Sequence, residues 1–283
     1  MPTFTTPNPI DLAINWQVGG IDILARDGAE TVVTVTPTNP DKPVDRRGAE
    51  ETKVDFDGER VTIIGPKPRF NFIGPAESVD LKVELPADSR FTAEIALGPV
   101  RATGRLGSTR IKNSTGPVEL DGVGDLWVRA GHGNVTVDTA DGGIEVTADH
   151  GQVRIGTVTG DAIVKASHGS ITIGESGGEV EAKLSYGDLE ITRALASVAT
   201  STSYGSVRLR EVSSGSIQVE SGFGQIDLGV RPGVAAWLDL SSRDGRVRNE
   251  LEGDKAPDPS EATVSIRART RASDISVHRA VAL

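Results

Sequence analysis

A glycine-marked repeat between residues 98 and 247 constrains this chain more than any other feature of its sequence. Each repeat reads glycine, any residue, apolar residue, any residue, apolar residue, and successive glycines are 17 to 21 positions apart, most often 18. A second series lies halfway between these glycines, so that a mark falls about every nine residues. The glycines of the main series are Gly98, Gly116, Gly133, Gly151, Gly169, Gly187, Gly205, Gly224 and Gly245.

The alternation after each glycine is typical of a β-strand with one buried face. A glycine at each corner supplies the positive φ that a tight turn needs, and one short strand cannot bury its apolar face alone. We therefore predict an all-β fold: a parallel β-solenoid of about eight 18-residue coils, with two nine-residue strand–turn units per coil. A three-sided cross-section stays open as an alternative, because Ala130, Ala148, Ala166 and Leu184 could line a third face. The handedness of the winding also stays open.

Segments outside the repeat are predicted to cap the stack, since an uncapped terminal coil is an open sheet edge. Residues 10–36 and 52–64 are rich in strand patterns, and Pro37, Pro40, Pro43 and Asp57-Gly58 indicate loops. The polar segment 252–262 is predicted to be a loop, followed by short strands at 263–268 and 275–277. We expect one solenoid domain over residues 1–283, with a strand-rich cap and early coils at 1–90, regular coils at 91–250 and a C-terminal cap at 251–283.

The amino-acid composition excludes or disfavours several classes of function. The chain has no cysteine, which excludes disulfides, thiolate metal sites and cysteine nucleophiles. A formal net charge of -10 argues against a nucleic-acid partner. The cluster Arg101, Arg105, Arg110 and Lys112 is therefore interpreted as a solvated face. The turns lack a regular Gly-x-Asp pattern, so we expect no calcium binding.

A valine-rich strand ending in Leu85-Pro86 precedes the glycine ladder, and a closing segment at 269–277 follows it. In this order the chain resembles the bacterial β-strand-repeat family labelled "putative adhesin", a domain of unknown function, over nearly its whole length. The resemblance implies a β-solenoid. Many members of that family are secreted or membrane-tethered, whereas the opening MPTFTTPNPID shows no secretory leader and no apolar run suits a membrane helix. We therefore expect a cytoplasmic location and no membrane insertion.

One column of rings is the candidate binding site. The residue just before each main-series glycine is aromatic or histidine over six consecutive coils, so the rings are expected to form a ladder along one corner. The simplest interpretation is a stacking ladder that steadies the corner; the alternatives are a strip that binds a sugar, peptide or ring, and a metal site at the three histidines. The column consists of His132, His150, His168, Tyr186, Tyr204 and Phe223.

The sequence shows no set of catalytic residues. Pairs such as Ser167-His168 recur with the coil and are interpreted as structural, and no nucleophile elbow, phosphate-binding loop or H-E-x-x-H motif occurs. We expect a non-enzymatic structural or protein-interaction module without cofactors, which binds a protein partner or itself through its faces or ends. The alternative is an adhesin-like or carbohydrate-binding rod, and a β-helix carbohydrate enzyme ranks lower.

Overall fold

The computed structural model describes residues 2–66, 77–251 and 263–281. The chain forms two compact units, unit 1 (residues 1–141) and unit 2 (residues 142–283). Both consist of short strands, and α1 is the only helix within the described residues. The expectation of a single domain over the whole chain stays a prediction. The predicted loop 252–262 lies outside the described residues.

Within its described residues, unit 1 contains thirteen strands and the helix. They are β1 (Thr3–Thr5), β2 (Asp11–Val18), β3 (Ile21–Arg26), β4 (Glu30–Pro37), α1 (Pro43–Glu51), β5 (Lys53–Phe56), β6 (Arg60–Ile64), β7 (Val79–Pro86), β8 (Arg90–Leu97), β9 (Val100–Arg105), β10 (Thr109–Thr115), β11 (Val118–Val123), β12 (Leu126–His132) and β13 (Val135–Ala140).

The strands of unit 1 form two sheets. Sheet 1A has the order β1-β4-β7-β3-β9-β11-β13, and sheet 1B has the order β12-β10-β8-β2-β6-β5. From β8 onward the chain alternates between the sheets, and each strand pairs in parallel with the strand two places later. Inward side chains of both sheets, such as Val118 and Ile111, are fully buried. Each such valine or isoleucine stabilises the fold by about 1.5–3 kcal/mol relative to an exposed position.

The part of unit 2 that the structure describes contains fourteen strands. They are β14 (Ile144–His150), β15 (Val153–Val158), β16 (Ala162–His168), β17 (Ile171–Ser176), β18 (Val180–Tyr186), β19 (Leu189–Ala194), β20 (Val198–Tyr204), β21 (Val207–Val212), β22 (Gly215–Phe223), β23 (Ile226–Val230), β24 (Ala235–Ser242), β25 (Val247–Asn249), β26 (Thr263–Thr270) and β27 (Ile275–Arg279).

Unit 2 is also built from two parallel sheets. Sheet 2A has the order β15-β17-β19-β21-β23-β27-β25, and sheet 2B has the order β24-β26-β22-β20-β18-β16-β14. A coil such as β16–β17 combines a seven-residue strand, a two-residue turn, a six-residue strand and a three-residue turn. This arithmetic explains the 18-residue repeat and confirms the nine-residue unit. Regular coils number three in unit 1 (β8–β13) and five in unit 2 (β14–β23), so the prediction of eight is confirmed.

The three-sided cross-section that the sequence left open as an alternative is wrong. Ala130, Ala148, Ala166 and Leu184 are buried, but each is the third inward residue of a seven-residue strand in sheet 1B or 2B. The six-residue strands of the facing sheet, such as β15 and β17, likewise bury three residues each. All inward positions of the regular coils therefore belong to the two facing sheets, and these four residues do not form a third sheet.

The order of the coils at both ends also differs from the prediction. In unit 1, β2 and β3 lie between the coil β6–β7 and the coil β8–β9. In unit 2, β26 and β27 lie between β22–β23 and β24–β25. The strand after Gly245 therefore pairs with β27 and not with β23, and residues 263–279 form an internal coil rather than an end cap.

Antiparallel strands and the helix terminate the parallel stack of unit 1. β4 pairs antiparallel with β7, and β5 pairs antiparallel with β6. The loop expected around Pro43 is instead the start of α1, where a proline is favourable because the first helical N–H has no intrahelical partner. The buried Asp45 of α1 accepts hydrogen bonds from the backbone N–H groups of Asn39 (3.2 Å) and Ser78 (3.1 Å), which fixes the helix to its flanking loops.

The basic cluster noted in the sequence is neutralised within unit 1. Arg101 contacts Glu119 at 2.9 Å, Arg105 contacts Asp88 at 2.7 Å and Asp141 at 2.6 Å, and Lys112 contacts Glu94 at 2.5 Å. The hydrogen bond to Asp88 and the charge of Asp141 raise the pKa of the Arg105 guanidinium. Arg110 lies over the indole of Trp127, 3.8 Å from the ring centroid. Arg101, Arg105 and Lys112 thus form exposed ion pairs, which agrees with the interpretation of the cluster as a solvated face.

Candidate binding strip

Five of the six ring residues lie at equivalent positions of unit 2. His150, His168, Tyr186 and Tyr204 are the last residues of β14, β16, β18 and β20, and Phe223 ends β22. The parallel register sets each ring directly beside the next, from His150 opposite His168 to Tyr204 opposite Phe223. We call these five side chains the ring strip.

The turn from sheet 2B to sheet 2A determines where these rings lie. Each of the first four rings precedes a glycine with φ between 139° and 151°. That backbone conformation turns the chain into sheet 2A within two residues, because glycine alone adopts it without strain. The ring before the turn therefore cannot continue the inward alternation of its strand, and it projects from the corner toward solvent.

The rings stack with nearly constant geometry. Centroids of neighbouring rings are 4.9 to 5.1 Å apart, and the angles between their planes are 2 to 8°. This separation is close to the spacing of adjacent strands, so the coil repeat sets it. The predicted stacking ladder is therefore present within unit 2.

Much of the strip remains accessible. Tyr186, Tyr204 and Phe223 are exposed at 49, 47 and 51% of their surface, among the largest exposed apolar side chains in the described residues. Neighbouring rings cover part of each other's faces, so that ring edges and the two tyrosine hydroxyls face solvent. The strip can therefore make apolar contacts along its length and hydrogen bonds at the hydroxyls.

Polar side chains flank the strip on the side of sheet 2A. A shallow cavity of about 200 Å³ lies just after the turns that follow Tyr186, Tyr204 and Phe223. Its polar lining is largely engaged within the fold: Asp188 accepts the backbone N–H of Ser206 at 2.7 Å. The lining consists of Asp188, Leu189, Glu190, Ser206, Val207, Arg208, Gln225 and Asp227.

Two charged side chains of β18 flank the strip on the other side. The Lys183 ammonium donates a hydrogen bond of 2.6 Å to the Glu181 carboxylate, and it lowers the pKa of that carboxyl. Both residues are exposed and lie in the same strand as Tyr186. The surface next to the rings is therefore charged but locally neutral.

The sixth predicted ring, His132, belongs to unit 1. It ends β12, and its register partner in β10 is Thr115, followed by Leu97 in β8. Within unit 1 the same corner position thus carries one histidine and aliphatic or hydroxyl side chains. The stacking of rings that the sequence pattern predicts is therefore reported for the five rings of unit 2.

The spacing of the rings in the sequence was sufficient to find the strip. The cavity residues Glu190, Arg208 and Asp227 also lie one coil apart, in register, but their residue types differ from coil to coil, so the sequence pattern did not mark them as a site. Within the described residues, no three His, Asp or Glu side chains converge in the way that a metal ion requires. The absence of a metal ligand set in the strip itself stays a prediction.

The chain matches a known protein family over nearly all of the coils described above. The family model described as Toastrack DUF4097 matches residues 12–279, which includes both units and the interleaved end coils. The chain belongs to this family. The resemblance to the adhesin-labelled, function-unknown repeat family is thereby confirmed, and so is the solenoid fold that it implied. Curated proteins, by contrast, include no match to the chain.

Solved structures of similar proteins come from Bacteroides and Parabacteroides. A protein of Bacteroides fragilis named a "putative adhesin" has 13% identity and a TM-score of 0.43, with 98% of this Toastrack chain and 95% of that chain covered. A second, from Parabacteroides distasonis and named likewise, has 14% identity and a TM-score of 0.43, with 97% and 95% covered. The functional argument therefore rests on the residues of this chain.

The described part of the Toastrack chain holds no helix with the length and apolar character of a membrane span.

Proposed function

We propose that this Toastrack protein is a non-enzymatic interaction module that binds a protein partner through the ring strip of unit 2. The observation that carries the proposal is the row of half-exposed rings Tyr186, Tyr204 and Phe223, held 5.0 Å apart on a rigid parallel sheet. Aromatic side chains are enriched at protein interfaces, and tyrosine is among the residues that dominate binding energy there. A preformed strip also binds at a lower cost in side-chain entropy.

The carboxylates near the strip support a binding role over a catalytic one. Glu190 pairs with Arg210, and Asp227 pairs with Arg208 at 3.2 Å and with His278 at 3.2 Å. A general acid or base must reach the substrate with its carboxyl group. These half-buried carboxylates are instead engaged in ion pairs within the fold, which supports binding rather than catalysis.

The test compares two triple variants of the full chain. In the first, Tyr186→Ser, Tyr204→Ser and Phe223→Ser remove the rings. We expect it to lose at least about 100-fold in affinity for the partner, since each interface aromatic typically contributes 1–2 kcal/mol or more. Partners are captured from a lysate of the source organism on immobilised wild type and identified by mass spectrometry, and the affinity of each purified partner is then measured.

The matched control changes outward residues of the same three strands: Lys183→Ser, Ser201→Ala and Glu220→Ser. Circular dichroism melts confirm that both variants fold. We expect the control to keep wild-type affinity. If the ring variant and the control capture the partner equally well, the ring strip is not the binding site. If no partner is captured from cells that express the protein abundantly, the proposal of an interaction module is contradicted.

A second candidate is carbohydrate binding, which the polar cavity beside the rings favours. Aromatic side chains next to carboxylate, amide and guanidinium groups such as Asp188, Gln225 and Arg208 offer the apolar and hydrogen-bonding contacts that a sugar needs. A glycan array with wild type and the ring variant tests this candidate. An adhesin role also requires export, so cell fractionation that finds the protein only in the cytosol, the location we propose, would exclude it.

A further inference from the structure

The coil β24–β25 forms an outer edge of both sheets of unit 2. β24 is the last strand of sheet 2B and pairs with β26, and β25 is the last strand of sheet 2A and pairs with β27. No described residue pairs with the opposite edge of either strand. The eight-residue strand β24 therefore presents a row of backbone N–H and C=O groups that can accept another strand.

The apolar core is incompletely covered at this edge. The inward apolar residues Val264, Ile266 and Ala268 of the neighbouring strand β26 are at most 1% exposed. Leu238 and Leu240 of β24 are only half-buried. On the outward side of β24, Trp237 is 68% exposed. In unit 1, by contrast, the antiparallel strands β4 and β5 cover the terminal coil, and the inward residue Val83 of β7 is fully buried.

The usual protection of an edge strand is missing from β24. Its sequence, AAWLDLSS, contains no lysine, no proline and one charge. That charge is already compensated, because Asp239 contacts Arg267 at 3.1 Å and Arg269 at 2.7 Å on β26. Natural sheets prevent edge-to-edge pairing with charges, prolines or bulges, so an exposed edge without them is suited to pairing.

We propose that this edge is an interface with a second copy of the same chain, in which the two β24 strands pair antiparallel about a twofold axis. A second copy fits because both edges are nearly uncharged and each leaves the same apolar side chains half-covered. A twofold contact also closes on itself, so that it gives a dimer and not a filament. The ring strip ends at Phe223 in β22, two strands away from β24 in sheet 2B, so this interface uses none of the residues of the proposed partner site.

Side-chain chemistry selects the register of the pair. With Asp239 on the axis, two carboxylates would face each other across the strands, which is unfavourable. With Leu238 on the axis, Leu238 faces its own copy, Ala236 faces the partner's Leu240, and Trp237 faces the partner's Asp239. This register brings apolar inward residues together and keeps each carboxylate beside an indole and its own arginines.

The absence of native cysteine makes cross-linking a clean test. The full chain with Leu238→Cys should form a disulfide-linked dimer under mild oxidation, since opposed residues of antiparallel strands lie about 4.5–5.5 Å apart at Cα. The matched variant Asp239→Cys, one residue away, should link far less. Light scattering of unmodified protein across a wide concentration range should show twice the chain mass of 29.7 kDa.

A third variant separates the interface from folding. Leu238→Lys sets two ammonium groups against each other on the axis and should weaken dimerisation about 100-fold, while a melt of the monomer shows that it folds. The ring variant should remain dimeric. A constant mass of 29.7 kDa, a mass that grows without limit, cross-linking through Asp239→Cys instead of Leu238→Cys, or a Leu238→Lys dimer of wild-type affinity would each overturn the proposal.

Discussion

Gly187, at the corner between β18 and β19, shows what one residue position contributes to the stack. Its φ is 139°, and a Cβ on it would lie 2.2 Å from the carbonyl oxygen of Gly169 in the neighbouring coil. Any side chain would both strain the backbone and separate two hydrogen-bonded coils. We expect Gly187→Ala to lower the free energy of unfolding by about 3–5 kcal/mol, measured by denaturant titration.

Gly143 provides the matched control at the opposite corner of unit 2. A Cβ there would meet its nearest neighbour, the carbonyl oxygen of Asp161, at 3.5 Å, an ordinary contact. Gly143→Ala should change the free energy of unfolding by less than about 1 kcal/mol. Equal losses at the two positions would show that the close approach of the coils is not what requires glycine at Gly187.

Asp57 contributes to stability in a pH-dependent manner. Its carboxylate accepts hydrogen bonds from the backbone N–H groups of Glu59 (3.0 Å) and Arg60 (2.8 Å) in the turn between β5 and β6. These bonds hold the pKa of Asp57 below its ordinary value. A lowered pKa in the folded state means that the stabilisation is present above the unfolded pKa and is lost as the pH falls through the folded value.

The expected result is a Tm difference that depends on pH. Asp57→Ala should melt below wild type at about pH 7, and the two Tm values should converge as the pH falls below the folded pKa of Asp57. Melting curves followed by circular dichroism over this range measure the difference. Asp55→Ala, outward in the adjacent strand β5, serves as the control. A difference that stays constant down to the lowest pH would show that the ionised carboxylate is not responsible.

At the scale of the element, the sequence was sufficient to identify strands but not their neighbours at the ends. The alternation in Val247–Asn249 and in Ile275–Val277 is alike, because an inward side chain is apolar whether its coil is internal or terminal. Which of the two coils lies next to β23 depends on the path of the connecting chain. In the regular coils the connections are two or three residues long, so only one order is possible and the prediction was correct.

Because β27 is internal and β25 is terminal, the same substitution should lower the free energy of unfolding by different amounts in these two strands. Val277, in the internal strand β27, is fully buried, whereas Val247, in the outer strand β25, is 43% exposed. Val277→Ala should lower the free energy of unfolding by roughly 2 kcal/mol, and Val247→Ala by well under 1 kcal/mol. Denaturant titration of the two variants measures both values. The reverse ranking would place β25 inside the stack, in the sequential order.

The same reasoning separates the predictable from the unpredictable parts of the candidate site. The rings from His150 to Phe223 could be found because a solenoid converts a sequence interval of one coil into a spatial neighbour. The cavity residues Glu190, Arg208 and Asp227 are also neighbours one coil apart, in register. Their residue types change from acid to arginine to acid, so no repeated chemistry in the sequence marked them as a site.

For the whole molecule, the excess of acidic residues raises the question of calcium. The chain has 40 Asp and Glu against 30 Lys and Arg, and calcium-binding solenoids ligate the ion with turn carboxylates. Here turn carboxylates accept hydrogen bonds from the backbone of the next coil. Asp161 accepts the N–H of Glu179 at 2.9 Å, and Asp188 accepts the N–H of Ser206 at 2.7 Å. Each bond occupies one of the two carboxylate oxygens that calcium would need.

We therefore expect the Tm of the full chain to be the same in excess EDTA and in millimolar calcium. A calcium site occupied 100-fold above its Kd would add about 2.7 kcal/mol to the free energy of unfolding, a shift that melting curves resolve easily. Magnesium at the same ionic strength controls for screening of the net charge of -10. A Tm that rises with calcium but not with magnesium would mean that the turn carboxylates exchange their backbone partners for the ion, and the stack would then be metal-stabilised rather than held by its glycine corners and apolar core.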